Sequence, residues 1–404
     1  MTRIVVPVSG ELALNARLEL RSTATERFFQ LEAGHIASLC NALAQRFNRG
    51  GRLIAVAITP TDSSDAHHVA VEFVHPVIVG KRALPALALV PRDGDINARL
   101  ERLARPEDMV IVFGDGAKLH AVVAHAHSIG CLTVTFSPLD AGHEFLPPDD
   151  NPFVAQELTE TLYHVLWELV HVFIEHDADP HLATSRDPGA SGLLYPFLAG
   201  PAGDLNALLA DVRQSVLMKA AEISELRTRT VQDAALTLHQ AALALRARLD
   251  AGGTLFAIGN GGSATDAMDL VADFNFPPDG LPPRPAIDLT ADTAIITALS
   301  NDVGEETIFS RQIGAYARGQ DAVIAFSTSG NSRNVIRALG EARQRGLLSI
   351  AFTGYDGGRI HAERLADHVI VAPSQHIPRI QEAHATAYHL LRVLTEEPVP
   401  VGLA

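Results

Sequence analysis

Short apolar runs alternate with longer runs that carry apolar residues at helical spacing. The short runs predict strands at residues 53–58, 86–90, 109–113, 132–136, 255–258, 286–289, 323–326 and 348–352. The longer runs predict helices at residues 23–48, 66–74, 153–176, 211–249, 265–274 and 379–394. The first 20 residues are interpreted as a short hairpin. Strands that alternate with helices indicate parallel sheets covered by helices on both faces.

The pattern of the first half recurs in the second half. NRGGRLIAVAI matches DAGGTLFAIGN, DMVIVF matches DAVIAF, and AQELTETLYHVL matches IQEAHATAYHLL, at offsets of 202, 213 and 225 residues. Residues 177–204, rich in Pro and Gly, are predicted to be a linker. We therefore predict an internal duplication with domains at residues 1–190 and 191–404.

Composition narrows the class of protein. A chain of 404 residues fits two domains, and its net charge of −15 argues against broad contact with nucleic acid or an anionic membrane. Only two cysteines occur, and no apolar run has the length of a membrane span. These observations favour a cytoplasmic protein.

A hydroxyl-rich turn follows the predicted strand 323–326. Gly330 permits a tight turn, and the backbone N–H groups of the next helix point at the same spot. Its polar residues are Ser327, Thr328, Ser329, Asn331 and Ser332. Such a turn is typical of a phosphate site.

A second loop, GNGGS, lies between a strand and a helix of the same half. Asn260, Gly261 and Ser263 would join the hydroxyl-rich turn at the carboxyl ends of the strands, where open α/β sheets bind ligands. Asp302 is a candidate for contact with sugar hydroxyls.

The segments GNGGSATDAMDLVADF, FSTSGNSRNVIRAL and PRIQEAHATAYHLL resemble a sugar isomerase (SIS) domain of the phosphoheptose isomerase type. The resemblance covers residues 231–395, and the first half resembles the same domain through the repeat. It implies a flavodoxin-like, three-layer α/β/α fold in each half and an aldose–ketose isomerase acting on a phosphosugar such as sedoheptulose 7-phosphate. No nucleotide cofactor is expected.

The resemblance also implies four residues for acid/base chemistry and a divalent metal ion, most simply zinc. In the first half these are His68, Glu72, Gln156 and His164. The second half has Asp269 and Asp273 in place of the first pair and keeps Gln381 and His389, so its metal site would be weaker. Gln381 is also a candidate for substrate binding. Glu72 is the predicted base, with His164 or His389 as the acid.

The phosphate loops show the converse loss. FGDGAKL replaces FSTSGNS in the first half, and Asp115 would repel a phosphate. We therefore hypothesise that the halves complement each other in one working site.

Other interpretations stay open. Asp269 and Asp273 favour a non-catalytic phosphosugar-binding or protein-scaffolding protein, and a phosphosugar-sensing regulatory domain is a weaker option. In either case the expected ligand is a small phosphosugar. The fold also leads us to expect a homodimer that forms a pseudo-tetramer of four domains.

Overall fold

A computed structural model of the chain describes residues 8–76, 81–90, 95–176 and 205–397. The chain forms two compact units: a first unit, Thr23–Glu222, and a second unit, Met1–Ser22 with Ile223–Ala404. The predicted linker 177–204 and the predicted domain boundary at residues 190 and 191 lie outside the described residues.

Helices and strands alternate along most of the described chain. The helices are α1 (Val8–Asn48), α2 (Pro60–Val74), α3 (Ile96–Leu103), α4 (Ala117–Ile129), α5 (Pro152–His176), α6 (Leu205–Asp233), α7 (Ala235–Asp250), α8 (Gly262–Asn275), α9 (Thr293–Asp302), α10 (Ile308–Tyr316), α11 (Arg333–Arg345), α12 (Gly358–Ala362) and α13 (Ile377–Glu396). The strands are β1 (Leu53–Val56), β2 (Ala86–Leu89), β3 (Met109–Val112), β4 (Leu132–Thr135), β5 (His143–Glu144), β6 (Leu255–Ile258), β7 (Ala286–Asp288), β8 (Ala322–Ser327), β9 (Leu348–Gly354) and β10 (His368–Ala372).

Each unit contains one five-stranded parallel sheet. The strand orders are β2-β1-β3-β4-β5 in the first unit and β7-β6-β8-β9-β10 in the second. In both sheets the second strand along the chain lies at one edge, which is the flavodoxin-like order. The predicted fold class is confirmed, and the identical strand orders agree with an internal duplication.

Helices cover both faces of each sheet, as parallel strands that are apolar on both faces require. In the first unit, residues of α1, α2 and α5 form the core on one face, and residues of α3 and α4 form the core on the other. In the second unit, α7, α8 and α13 cover one face, whereas α10 and α11 cover the other. Among the described helices, none is both long and apolar enough to span a membrane.

The predicted hairpin in the first 20 residues is wrong, because α1 already begins at Val8. The polar turn before residue 66 is also helical. Pro60 starts α2 without losing a useful donor, and the Thr59 side chain accepts a hydrogen bond from the backbone N–H of Asp62 at 3.2 Å.

Candidate functional site

The hydroxyl-rich turn 327–332, here called the cradle, connects β8 to α11 in the second unit. Ser327 is buried at the end of the strand, and its hydroxyl lies 3.0 Å from the hydroxyl of Ser332. The Ser329 hydroxyl accepts a hydrogen bond from the backbone N–H of Asn331 at 3.2 Å. Hydroxyls and free N–H groups of the helix start therefore surround one small space, which suits an anion.

Gly330 lets the cradle pack against the start of α12. Its φ is +62°, and a Cβ built on it would lie 2.1 Å from the carbonyl oxygen of Gly357. On the other side of this contact, the N–H of Ile360 donates to the carbonyl of Gly330 at 3.1 Å, and the N–H of Arg359 donates to the Asn331 side chain at 3.1 Å. These contacts hold the turn in one shape, and only glycine fits at residue 330.

The GNGGS loop lies beside the cradle because β6 and β8 are neighbours in the sheet. Asn260 and Asn334 exchange two amide hydrogen bonds, at 3.0 and 2.8 Å, and so connect the loop with the first turn of α11. Gly261 has a φ of +58°, and Ser263 is buried in the first turn of α8. The sequence analysis did not single out Asn334; a polar residue in the first turn after the cradle was its signal.

Asp302 and Gln381, the other predicted substrate ligands, lie elsewhere on the second unit. Asp302 is exposed at the end of α9 and accepts a hydrogen bond from the Asn301 side chain at 2.8 Å. Gln381 is buried on α13. The structure gives neither residue a contact with the cradle.

A buried acidic cluster lies between α8 and α13 of the second unit. Nε2 of His389 lies 3.5 Å from Asp269 Oδ2 and 3.4 Å from Asp273 Oδ2, and the Tyr388 hydroxyl donates to Asp269 at 2.6 Å. Burial, and then the Asp269 carboxylate, raise the pKa of Asp273 to about 6. The three predicted residues Asp269, Asp273 and His389 are thus brought together as a pair of carboxylates and an imidazole.

A second buried cluster lies between α2 and α5 of the first unit. Nε2 of His68 lies 3.2 Å from Nε2 of His164 and 4.0 Å from Oε1 of Glu72, while Nδ1 of His68 lies 3.0 Å from the Tyr163 hydroxyl and 3.9 Å from Oε1 of Glu160. Burial, and then the His164 ring, hold the pKa of His68 well below its usual value of 6.5. The His68 ring is therefore neutral at pH 7, the form in which imidazole binds metals.

This cluster contains one predicted ligand fewer and one carboxylate more than expected. Gln156 is only half-buried, and its amide donates to Asp65 at 3.2 Å. His68, Glu160 and His164, in contrast, each offer a ligand atom within 4.8 Å of the other two. Glu160 was missed because its counterpart in the repeat is Ala385, although its spacing of four residues from His164 was visible in the sequence.

In the first unit, a carboxylate lies where the cradle would be. Asp62 corresponds to Ser263 in the repeat, and a Cβ built on Gly114, the counterpart of Ser327, would lie 2.4 Å from Asp62 Oδ2. Asp115 is exposed in the same turn and accepts from the N–H of Gly116. Two carboxylates in this turn would repel a phosphate, so the missed Asp62 strengthens the prediction made from Asp115.

Comparison with known proteins gives the region around the cradle a family. The sequence model of the SIS domain family matches residues 220–354. The chain is 40% identical over 187 residues to phosphoheptose isomerase from Nitratidesulfovibrio vulgaris, which covers 46% of this chain and 89% of that relative. It is 46% identical over 150 residues to phosphoheptose isomerase from Aquifex aeolicus, over 37% of this chain and 77% of the relative.

A structural likeness covers both units. The C-terminal domain of glucosamine-fructose-6-phosphate aminotransferase from Francisella tularensis matches 96% of this chain and 97% of its own, with a TM-score of 0.57. The two sequences are only 9% identical, so this match concerns the fold. It extends the likeness to the first unit, which lies outside most of the match to the SIS domain family.

Proposed function

The chain belongs to the SIS domain family, and we propose that it is an isomerase that interconverts a ketose phosphate and an aldose phosphate of the sedoheptulose 7-phosphate type. The cradle is the observation that carries this proposal. It combines the hydroxyls of Ser327, Ser329 and Ser332 with the N-terminus of α11, and the Asn260–Asn334 amide pair connects it with the GNGGS loop. The relatives named phosphoheptose isomerase match this same region.

The phosphate of the substrate would accept hydrogen bonds from the cradle. The chain carries a net charge of −15, so attraction by the whole surface does not favour a dianion. Local N–H and hydroxyl donors must supply the affinity, and each hydrogen bond to a charged group contributes roughly 1.5–3 kcal/mol. Removing one hydroxyl, by Ser329→Ala, should therefore weaken phosphosugar binding by about tenfold or more.

Isomerisation needs a base beside the carbonyl carbon and an acid at the oxygen. Glu72 is our base, with His164 or His389 as the acid, and each group is worth on the order of 10² to 10⁴ in rate. Glu72 and His164 are both buried and both lie against His68. His389 lies against Asp269 and Asp273.

A divalent ion fits the His68 cluster. Two nitrogen ligands of a tetrahedral zinc at about 2.0–2.1 Å would be roughly 3.3 Å apart, close to the 3.2 Å between the Nε2 atoms of His68 and His164. When bound, such an ion would polarise the substrate carbonyl as a Lewis acid. Zinc suits these nitrogen and oxygen ligands, and His68, Glu72 and His164 would hold it.

The test is conversion of sedoheptulose 7-phosphate by the full-length protein, followed by NMR, beside a direct binding measurement. We expect Ser329→Ala to weaken binding and Glu72→Gln to abolish turnover without loss of binding. Ser38→Ala, at an exposed position on α1, should change neither. If both site variants turn over like the wild type, the assignment of these residues is wrong.

The acidic cluster favours a second candidate function. Asp269 and Asp273 replace the His and Glu expected on α8, so the second unit would hold a phosphosugar without turning it over. In that case the wild type binds the phosphosugar through the cradle and shows no conversion at any metal concentration. We further propose a homodimer, which a molar mass of about 86 kDa, twice the chain mass of 43.2 kDa, would support.

A further inference from the structure

Two helices of the first unit each present a histidine and a glutamate four residues apart. On α2 the pair is His68 and Glu72, and on α5 it is Glu160 and His164. A spacing of four places both members of a pair on one helix face, one turn apart. All four side chains are buried. The facing helices therefore bring two imidazoles and two carboxylates into one enclosed space.

Glu160 belongs to the centre of this cluster. Its Oε1 lies 3.9 Å from Nδ1 of His68, and it offers a ligand atom within 4.8 Å of ligand atoms on both His68 and His164. The buried cation nearest along the helix, Lys219, forms an ion pair with Glu168. Two carboxylates beside two neutral imidazoles suit a divalent cation, because burying a carboxylate costs several kcal/mol unless a cation compensates it.

Gln156 is poorly placed for the same role. It lies eight residues before His164 on α5, about 12 Å along the helix axis, whereas Glu160 lies only about 6 Å away. Its amide donates to Asp65 at 3.2 Å and so is turned to another partner.

The repeat places this feature in the first unit only. At the offset of 225 residues Gln156 corresponds to Gln381 and His164 to His389, but Glu160 corresponds to Ala385. The second unit instead has both of its carboxylates, Asp269 and Asp273, on α8. The two clusters thus reach the same number of carboxylates by different positions.

From these observations we infer that Glu160, in place of Gln156, is a ligand of a divalent metal ion that is bound by His68, Glu72 and His164. The set of two nitrogens and two carboxylates suits a first-row divalent metal such as zinc or cobalt. This inference rests on the metal ion of the proposed function, but metal binding can be measured without any substrate.

The experiment uses the full chain, stripped of metal with a chelator and titrated with zinc against a competing chromophoric chelator. A His389→Gln background disables the cluster of the second unit, so that the titration reports the first. Glu160→Gln keeps the shape of the side chain and removes the charge. Gln156→Leu is the matched control, because it changes a residue on the same helix, one turn away.

We expect one zinc per chain in this background. Glu160→Gln should lower the zinc affinity by at least about 100-fold, the upper end of the 10- to 100-fold that loss of a residue behind a ligand causes. Gln156→Leu should change it less than threefold. Equal affinity in Glu160→Gln, an equal loss in Gln156→Leu, or no bound zinc at all would overturn the inference.

A second measurement decides the matter if Glu160→Gln does not fold. In a crystal structure of the zinc-loaded wild type, an oxygen of Glu160 at about 2.0–2.2 Å from the ion would support the inference. The Gln156 side chain in that place would refute it. A protein that binds zinc through Glu160 but converts no phosphosugar would refute the proposed function and leave this inference standing.

Discussion

Gly330→Ala tests the cradle most directly, because one methyl group meets the backbone that holds it. The φ of +62° at Gly330 is a conformation that costs an L-residue about 1–2 kcal/mol. The added Cβ would also lie 2.1 Å from the carbonyl oxygen of Gly357 and 3.0 Å from the nitrogen of Gly358. These are backbone atoms and cannot rotate away, so the start of α12 must shift.

The magnitude follows from three terms. The strained φ contributes about 1–2 kcal/mol, and overpacking costs typically 1–3 kcal/mol. Alanine restricts the unfolded chain and returns about 0.4–1 kcal/mol. The net loss of stability is therefore roughly 2–4 kcal/mol, which in a unit of this size lowers the melting temperature by about 5–15 °C.

Gly340→Ala is the matched control. Gly340 lies inside α11, and a Cβ built on it would meet no atom within 4 Å. Alanine is the better helix former, so this variant should gain about 0.5–1 kcal/mol.

Thermal unfolding and calorimetric titration with a phosphosugar measure both effects. We expect Gly330→Ala to melt early and to bind the phosphosugar at least tenfold more weakly, since its hydroxyls move with the turn. Gly340→Ala should bind like the wild type. A Gly330→Ala protein with unchanged melting and binding would mean that the cradle does not pack against residues 357–358 as described here.

Three further predictions concern buried groups. Burial lowers the pKa of His384 to about 4, so below pH 6.5 only the unfolded chain gains its proton; at pH 5 this costs about 2 kcal/mol of stability, and in denaturant titrations His384→Gln should lose less stability than the wild type between pH 7 and pH 5. Arg392→Met should cost roughly 2–4 kcal/mol in the same titrations, because the guanidinium donates to the Asp273 carbonyl at 3.2 Å and lies 4.7 Å from the Phe274 ring centre; a loss below 1 kcal/mol would contradict this. Burial raises the pKa of the Cys40 thiol, so an aromatic disulfide reagent should label it only in denaturant, and labelling of the native protein would refute its burial.

The apolar pattern predicted the sheets well because their inner strands are buried on both faces. β6 and β1 begin where the apolar runs begin, and residues of β1 are completely buried. The two-residue strand β5 and the short β10 were missed, since edge strands of this length carry little pattern.

The start of α1 shows how one pattern can fit two structures. Leu12, Leu14, Leu18 and Leu20 occupy even-numbered positions, which resembles the alternation of a strand. Only Leu14 and Leu18, four residues apart, are buried, whereas Leu12 is 64% exposed. Helical spacing therefore decides the burial, and the even spacing of the outer leucines has no structural consequence.

Family spacing predicted the members of each cluster better than their partners. His68 and His164 are brought together as expected, but Gln156 bonds Asp65, and Glu160 lies by the histidines instead. A spacing of eight residues keeps two side chains on one helix face without bringing them to one point, because the rise of about 12 Å separates them. Contact with a third helix residue can be chosen only once the side chains have directions.

The duplication separates two kinds of chemistry that a single domain would have to combine. At the position of Ser263 the first unit has Asp62, whose carboxylate lies against Gly114, so phosphate binding there would require the removal of a charge. At the position of His68 the second unit has Asp269, which the Tyr388 hydroxyl already engages. Each unit has thus replaced one polar group with a carboxylate at the position where the other unit keeps the group that binds. Substitutions confined to one unit should consequently change either anion binding or metal binding, and the two properties can be measured independently in the same chain.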